Sequence, residues 1–304
     1  MTTKTEVRLD DFTIGAFKDQ LLDMEPGSLE QEYERLYWAN GDLIPVETKE
    51  APWIQDVGYR ETTVLGSWEI MRDYTTHIPM VERLSREFRQ SVIKIGGGYR
   101  YTDDEMTQAI HLNEPIEQQK MNAVIAAGKQ KLDDLMFRGG EGVQGFLNHP
   151  STLRMFAAFP FNASSTANQI LATLIDSENT ISRITKDIEQ PDTLLMAKSA
   201  WDYTSYARLD SSVSDTSILE YYMKRSPYIQ DIQPLLPLEG VGENGSNVAC
   251  MYKRDINKLK ARITQSMGFR KFLPTAWGME RTCTMRYGGL VIYRPYSILW
   301  INGI

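Results

Sequence analysis

Ile93-Lys-Ile-Gly-Gly-Gly-Tyr-Arg-Tyr-Thr-Asp-Asp-Glu-Met106 runs from a strand pattern through three glycines to a helix start, and a long helical pattern follows at once. Its start continues Phe88-Arg-Gln-Ser-Val-Ile-Lys-Ile95, whose second half alternates as a strand does. The glycine triplet is expected to interrupt that strand before Tyr99-Arg-Tyr101. Thr102-Asp-Asp-Glu105 has the form of a capped helix start. Asn113 is the expected N-cap of the next helix, with Pro115 tolerated in its first turn. Met121, Val124, Ile125, Gly128, Leu132, Leu135 and Met136 then recur at steps of three and four. Gly139-Gly140 stops the run. A helix over 114–138 is about 37 Å long at ~1.5 Å per residue. Gly128 in its middle costs up to ~1 kcal/mol against Ala, which points to close packing or a bend there.

Upstream, residues 59–74 carry a hairpin signal. Gly66-Ser67 has the glycine-first form of a two-residue turn. Folding about it would place Leu65 opposite Trp68, Glu61 opposite Arg72, Arg60 opposite Asp73 and Tyr59 opposite Tyr74. Such apolar and oppositely charged pairs favour cross-strand pairing. One face of the ribbon would carry Tyr59, Leu65, Trp68, Ile70 and Tyr74. A lone two-stranded ribbon is marginal in water, so it must lie on its own domain or on a neighbour. Residues 1–50 read as an arm. A first short helix would carry Ile14, Phe17 and Leu21 on one face. A second, opened by Ser28-Leu-Glu-Gln31, would carry Leu29, Tyr33, Leu36 and Tyr37 before Asn40-Gly41. Neither can bury itself alone.

Downstream, helices and strands mix. A helix is expected over 166–184, a buried strand at Thr193-Leu-Leu-Met196, and a helix capped by Ser199 after it. Ser214-Asp-Thr-Ser217 opens a further helix, and Pro234, Pro237, Gly240, Gly242 and Gly245 mark a loop. The end, Tyr287–Ile304, is expected to be strand-rich to its last residue, with an apolar strand inside a sheet.

The 304 residues are 42% hydrophobic and 24% charged, the balance of a globular chain. No run of about 18 apolar residues is present, so no spanning helix and no membrane partner is expected. Residues 1–50 hold 12 acids and 5 bases, whereas residues 251–304 hold 10 bases and 2 acids. An acidic start and a basic end suit mutual attraction, with Arg83, Arg86 and Arg89 or Lys253, Arg254, Lys258, Lys260 and Arg262 as candidate partners of the arm. An overall charge of −7 argues against wrapping nucleic acid by counterion release. His77, His111 and His149 share no metal-ligand spacing, and Cys250 and Cys283 fit neither zinc nor redox patterns. Gly139-Gly-Glu-Gly-Val-Gln-Gly145 lacks the Lys-Ser/Thr of a phosphate loop and follows a helix. No catalytic, cofactor-binding or metal site is expected.

The order of these parts resembles the major capsid proteins of tailed phages, with the Hong Kong phage-type coat fold shared by encapsulins. The stretch 93–106, the long helix into Gly142-Val-Gln-Gly-Phe-Leu-Asn148, Pro191-Asp-Thr-Leu-Leu-Met196, Thr216-Ser-Ile-Leu-Glu220 and Gly288-Gly-Leu-Val-Ile-Tyr-Arg-Pro295 carry the likeness. The resemblance implies an α+β fold. Residues 1–54 would be an N-terminal arm and 55–80 an extended β-hairpin loop. A peripheral domain over 81–150 would hold the spine helix 114–138. A mixed α/β axial domain over 151–285 would precede returning C-terminal strands at 286–304. It implies a non-enzymatic subunit that self-assembles through pentamers and hexamers into an icosahedral shell around phage DNA, in the host cytoplasm and then the virion. Tyr59, Arg60, Glu61, Leu65, Trp68, Ile70, Arg72, Asp73, Tyr74, Phe17, Leu21 and Tyr33 are the expected contacts between subunits. A chain beginning at Met1 points to a separate scaffolding protein, beside a portal and decoration protein, with no cofactor. Some relatives join a loop lysine to an asparagine of the next chain, but Lys49 is followed by no lysine until Lys94. An encapsulin-like compartment is the nearest rival, and a cytoplasmic hydrolase the rival from another class.

Overall fold

The computed structural model describes residues 35–66, 68, 80–112, 116–209 and 216–304. Residues 36–304 form one compact unit. The expected arm helices, with Phe17, Leu21 and Tyr33, lie outside the described residues. So do Ile70, Arg72, Asp73 and Tyr74 of the hairpin.

Where the second arm helix was expected to run on to Asn40, residues 35–36 are irregular and 37–44 are turns and bends. The reason is local: the Asp133 carboxylate accepts the backbone N–H groups of Trp38 (2.7 Å) and Ala39 (2.8 Å), which a helix would direct to carbonyls four residues back. Trp38, Leu43 and Ile44 are buried in the main core. The short strand β1 (Val46–Glu47) follows.

Strands β2 (Asp56–Leu65) and β3 (Glu82–Ser91) pair antiparallel, with Tyr59 opposite Phe88, Arg60 opposite Glu87, Glu61 opposite Arg86 and Leu65 opposite Glu82. This corrects the expected hairpin, in which 59–65 paired with 68–74. The charge complementarity that suggested the nearer partner is met equally well by the farther one. β4 (Ile93–Thr102) then runs unbroken through the glycine triplet, another correction. Gly96, Gly97 and Gly98 stay in the ladder opposite Thr284, Cys283 and Thr282.

Helix α1 (Asp103–Leu112) opens on a capping box, in which the Glu105 N–H donates to the Thr102 hydroxyl and the Thr102 N–H donates to the Glu105 carboxylate, both at 3.2 Å. Helix α2 (Ile116–Phe137) is the expected long helix, about 33 Å from end to end. Only its last turns, at Leu132, Leu135, Met136 and Phe137, enter the core. It stops at Gly139, whose φ of +73° suits a residue without a side chain. The minimal strands β5 (Gly139–Gly140) and β6 (Val143–Gln144) turn the chain back.

Next come β7 (Leu153–Phe156) and helix α3 (Ala167–Thr185), begun by a Thr166–Gln169 capping box and seated by Ile170, Leu174 and Ile181. The fully buried β8 (Thr193–Ala197) leads directly into α4 (Lys198–Tyr206). Ser199 is not its cap, because the helix already starts at Lys198. The Ser199 N–H donates instead to the Glu239 carboxylate at 2.7 Å. Helix α5 (Ile218–Arg225) is capped by Ser217, the last residue of the stretch expected to open it, whose first residues, 214–215, lie outside the described residues. Pro234, expected in a loop, sits in strand β9 (Asp231–Leu235), where an edge position spares it a donor. The remaining strands are β10 (Val248–Tyr252), β11 (Leu259–Phe269), β12 (Leu273–Thr275), β13 (Gly278–Ile292) and β14 (Leu299–Asn302).

Two sheets organise these elements. In the first, β13 pairs antiparallel with β4, β11 and β12, and β1 joins β11 in parallel. In the second, the order is β7-β14-β10-β8-β9. Sheet membership therefore crosses residue 285: β11, β12 and β13 belong with β4, while the last strand lies inside the second sheet. Aromatic side chains fill the common core. Phe146 meets Trp38, Tyr252 and Trp300 at 5.1–5.5 Å between ring centres.

Candidate inter-subunit surface

The ribbon formed by β2 and β3 is held at its base and bare beyond it. At the base, Val57 is buried over Gly288, where a Cβ would come within 3.1 Å of it. Tyr59 stacks on Phe88 at 5.0 Å, meets Tyr293 edge-on at 5.0 Å, and donates its hydroxyl to the Ile292 carbonyl at 3.3 Å. The N–H of Val92 donates to the Gln55 carbonyl at 2.7 Å. Tyr59 thus spends its ring on its own chain. Farther out, Arg60, Glu61, Val64 and Leu65 on one strand and residues 82–87 on the other are exposed. Val64, Leu65, Trp68, Met80, Val81 and Leu84 gather apolar surface at this end, with Trp68 96% exposed. Monomeric proteins rarely leave such apolar surface contiguous and open to water.

A second apolar patch was not legible in the sequence. Leu273, Trp277 and Met279 of the first sheet's far end are exposed, with Trp277 at 81%. Met106 and Ile110 of α1 are exposed close by, and the Asp103 N–H donates to the Trp277 carbonyl at 3.2 Å. The lone tryptophan before Gly278 was the available signal, but one aromatic in a turn carries no period.

The described end of the acidic start meets basic residues of its own chain on β11. Glu47 pairs with Lys260 at 2.6 Å and Glu50 with Arg262 at 2.9 Å. The hydrogen bond from Lys260 holds the Glu47 carboxyl below its ordinary value, against the opposing effect of burial. On the ribbon, Arg89 pairs with Glu87 at 3.2 Å and Arg86 lies over the Phe88 ring at 5.2 Å.

Among the described residues no three His, Cys, Asp or Glu side chains converge as a metal ion would require, and no helix is long and apolar enough to cross a membrane. Cys250 and Cys283 are buried free thiols, and burial pushes both pKa values up, away from the reactive thiolate. Burial lowers the pKa of His149, favouring its neutral form.

An α+β chain with a projecting ribbon, a long helix laid on a mostly antiparallel sheet, a second mixed sheet and bare apolar extremities has the form of a coat protein, a unit completed by its own copies. The family described as Major capsid protein matches residues 66–304, and the chain belongs to that family. It is a shell-forming structural protein. The fold is similar to that in the capsid of Myoviridae phage XM1, with TM-score 0.81 at 16% identity over 94% of this chain and 98% of that one. It is also similar to the capsid of a native GTA particle, with TM-score 0.63 at 12% identity over 95% and 97%. The holo-SrpI encapsulin complex from Synechococcus elongatus gives 0.59 at 10% identity over 100% and 96%. A capsid family match and the closer overlay on the XM1 shell do not favour an encapsulin. No curated protein matches the chain.

Proposed function

We propose that this chain builds the icosahedral head of a tailed phage around its DNA, through pentamers and hexamers assembled in the host cytoplasm. The observation that carries this reading is the ribbon: anchored at Val57 and Tyr59, it extends beyond its own subunit's core with apolar surface uncovered. A neighbouring copy supplies the missing cover. In this reading residues 1–54 are the arm and 55–80, extended by β3, the overlapping loop. The sheet containing β4 and β13 with α2 is the peripheral body, and the sheet around β10 and β14 with α3–α5 gathers at the five- and six-fold axes. A scaffolding protein, a portal and decoration proteins are the further partners, and none requires a membrane.

Electron microscopy of the purified protein, alone and coexpressed with its phage's assembly genes, tests this. Closed shells of uniform size, with nuclease-resistant DNA in native particles, are expected. Dispersed monomers under every condition would overturn the reading, and shells loaded with an enzyme instead of DNA would overturn the phage assignment.

A further inference from the structure

Helix α2 does not rest flush on the first sheet. Where it crosses β4 the sheet presents Gly96, Gly97 and Gly98, so no side chains rise to meet it. The helix contributes Val124, Ala127 and Gly128 to the same gap. What remains is a slot of about 210 Å3. Its floor carries three sulfur side chains, Met267, Cys283 and Met285. Met267 reaches across so far that a Cβ on Gly128 would come within 2.6 Å of its methyl group. Thioether side chains are flexible and polarisable, and they mould to flat rings.

The slot has a polarity. Its lining contains one charged residue, Lys131, and no acid. Lys131 is exposed and has no ion-pair partner among the described residues. A dry apolar cavity of about 150 Å3 accommodates benzene. This one has room for a larger ring system.

We infer that the slot beneath α2 is a binding site for a small aromatic anion, with the ring system against Met267, Met285 and the glycine wall and the acidic group at Lys131. The body of the ligand would replace side-chain contacts that the glycines forgo. The charge complementarity sets the orientation, and it disfavours cations. A bound ligand would also brace α2 against the sheet, so it stabilises the subunit by mass action.

Calorimetric titration with naphthalene-2-carboxylate and its neutral carboxamide, on the purified full-length protein, reads the proposal. Three variants locate the binding. A Cβ at Gly97 would point at Val124 from 3.9 Å, into the slot and free of clashes, so Gly97→Val fills it. This variant should weaken both probes at least about tenfold, the loss set by aromatic surface left uncovered. Lys131→Gln, on the surface, should weaken the carboxylate about fivefold, the scale of one exposed ion pair, and leave the carboxamide unchanged. Trp68→Ser, on the ribbon, should change neither. Unaltered binding in Gly97→Val would overturn the site, as would absence of any binding by the native protein. Should Gly97→Val fail to fold, Lys131→Gln still decides: equal effects on both probes, or none on either, would refute the assigned orientation and site.

Discussion

Glu178 is a buried carboxylate with no cation beside it among the described residues. Its charge is held by hydroxyls: Tyr222 donates to it at 2.8 Å, and Ser226 lies within 3.0–3.1 Å of both its oxygens. Burial, and then the charge of Glu178, push the Tyr222 pKa far up, so the phenol stays a donor. Removing that donor strands a buried charge, and Tyr222→Phe should cost about 1–3 kcal/mol. A thermal melt of the isolated subunit checks this, with Tyr206→Phe as an exposed control expected to match the native protein. Asp133 and Glu47 give opposite pH dependences. Burial raises the Asp133 carboxyl above its ordinary value of 3.8, despite the pull of the Ala39 and Trp38 N–H groups. Its ionised form is therefore disfavoured by folding, and that penalty lifts as pH falls through the raised value. Glu47 lies below its ordinary value of 4.5, held there mainly by Lys260. Its stabilisation is complete above about 4.5 and is lost as pH falls through the lowered value. Glu47→Gln should thus be less stable than the native protein at pH 7, and the gap should narrow as pH falls below about 4.5. Melting temperatures across that range measure it, and a gap independent of pH would assign the role to packing alone.

At the scale of elements, the ribbon shows what a sequence conveys and what it withholds. Strand Asp56–Leu65 announces itself by the glycine turn that follows it and by Arg60-Glu61, which demand an oppositely charged partner. Two later segments satisfy that demand. The nearer one has a compact glycine turn, and the farther one, Glu82–Ser91, is the partner in the fold. Nothing local chooses between them, because the choice rests on the clamp of Tyr59, Phe88 and Tyr293 and on β3 leading straight into β4. Helix α2 was legible from its period, its expected cap Asn113 lying outside the described residues, and helices α3 and α5 from local caps and periods. The continuity of β4 through three glycines was not, since it depends on a partner strand about 180 residues away. The same limit hid the patch around Trp277. The ribbon's exposed end gives a direct prediction. Trp68→Ser should leave a soluble subunit with native melting behaviour, because none of the described residues covers Trp68. Shell yield should fall at least about tenfold, the equivalent of one aromatic's burial. Sedimentation of assembled against free protein gives the ratio, and normal yield would remove Trp68 from the contacts between subunits.

At the scale of the whole molecule, the question is what keeps one copy on the next. A covalent bond from the ribbon would need an amine, and the sequence has no lysine between Lys49 and Lys94. Arginine does not replace it, because the guanidinium stays protonated at any working pH and is a poor nucleophile. Cysteine does not replace it either: Cys250 and Cys283 are both buried, in the second and first sheets, with their thiols held protonated. Ion pairs on the ribbon, such as Arg89–Glu87, are exposed and already paired within the chain, so each adds little to association. What remains is apolar area at the two ends of the subunit, around Trp68 and around Trp277. Covering one such aromatic, ~150–250 Å2 at ~25 cal/mol per Å2, contributes several kcal/mol before association costs. A lattice held in this way is strong by repetition and weak against detergent. Shells boiled in dodecyl sulfate should therefore run as one band at the chain's 34.8 kDa, with or without reductant. A ladder of multiples that survives both treatments would reveal a covalent link made by residues outside the ribbon.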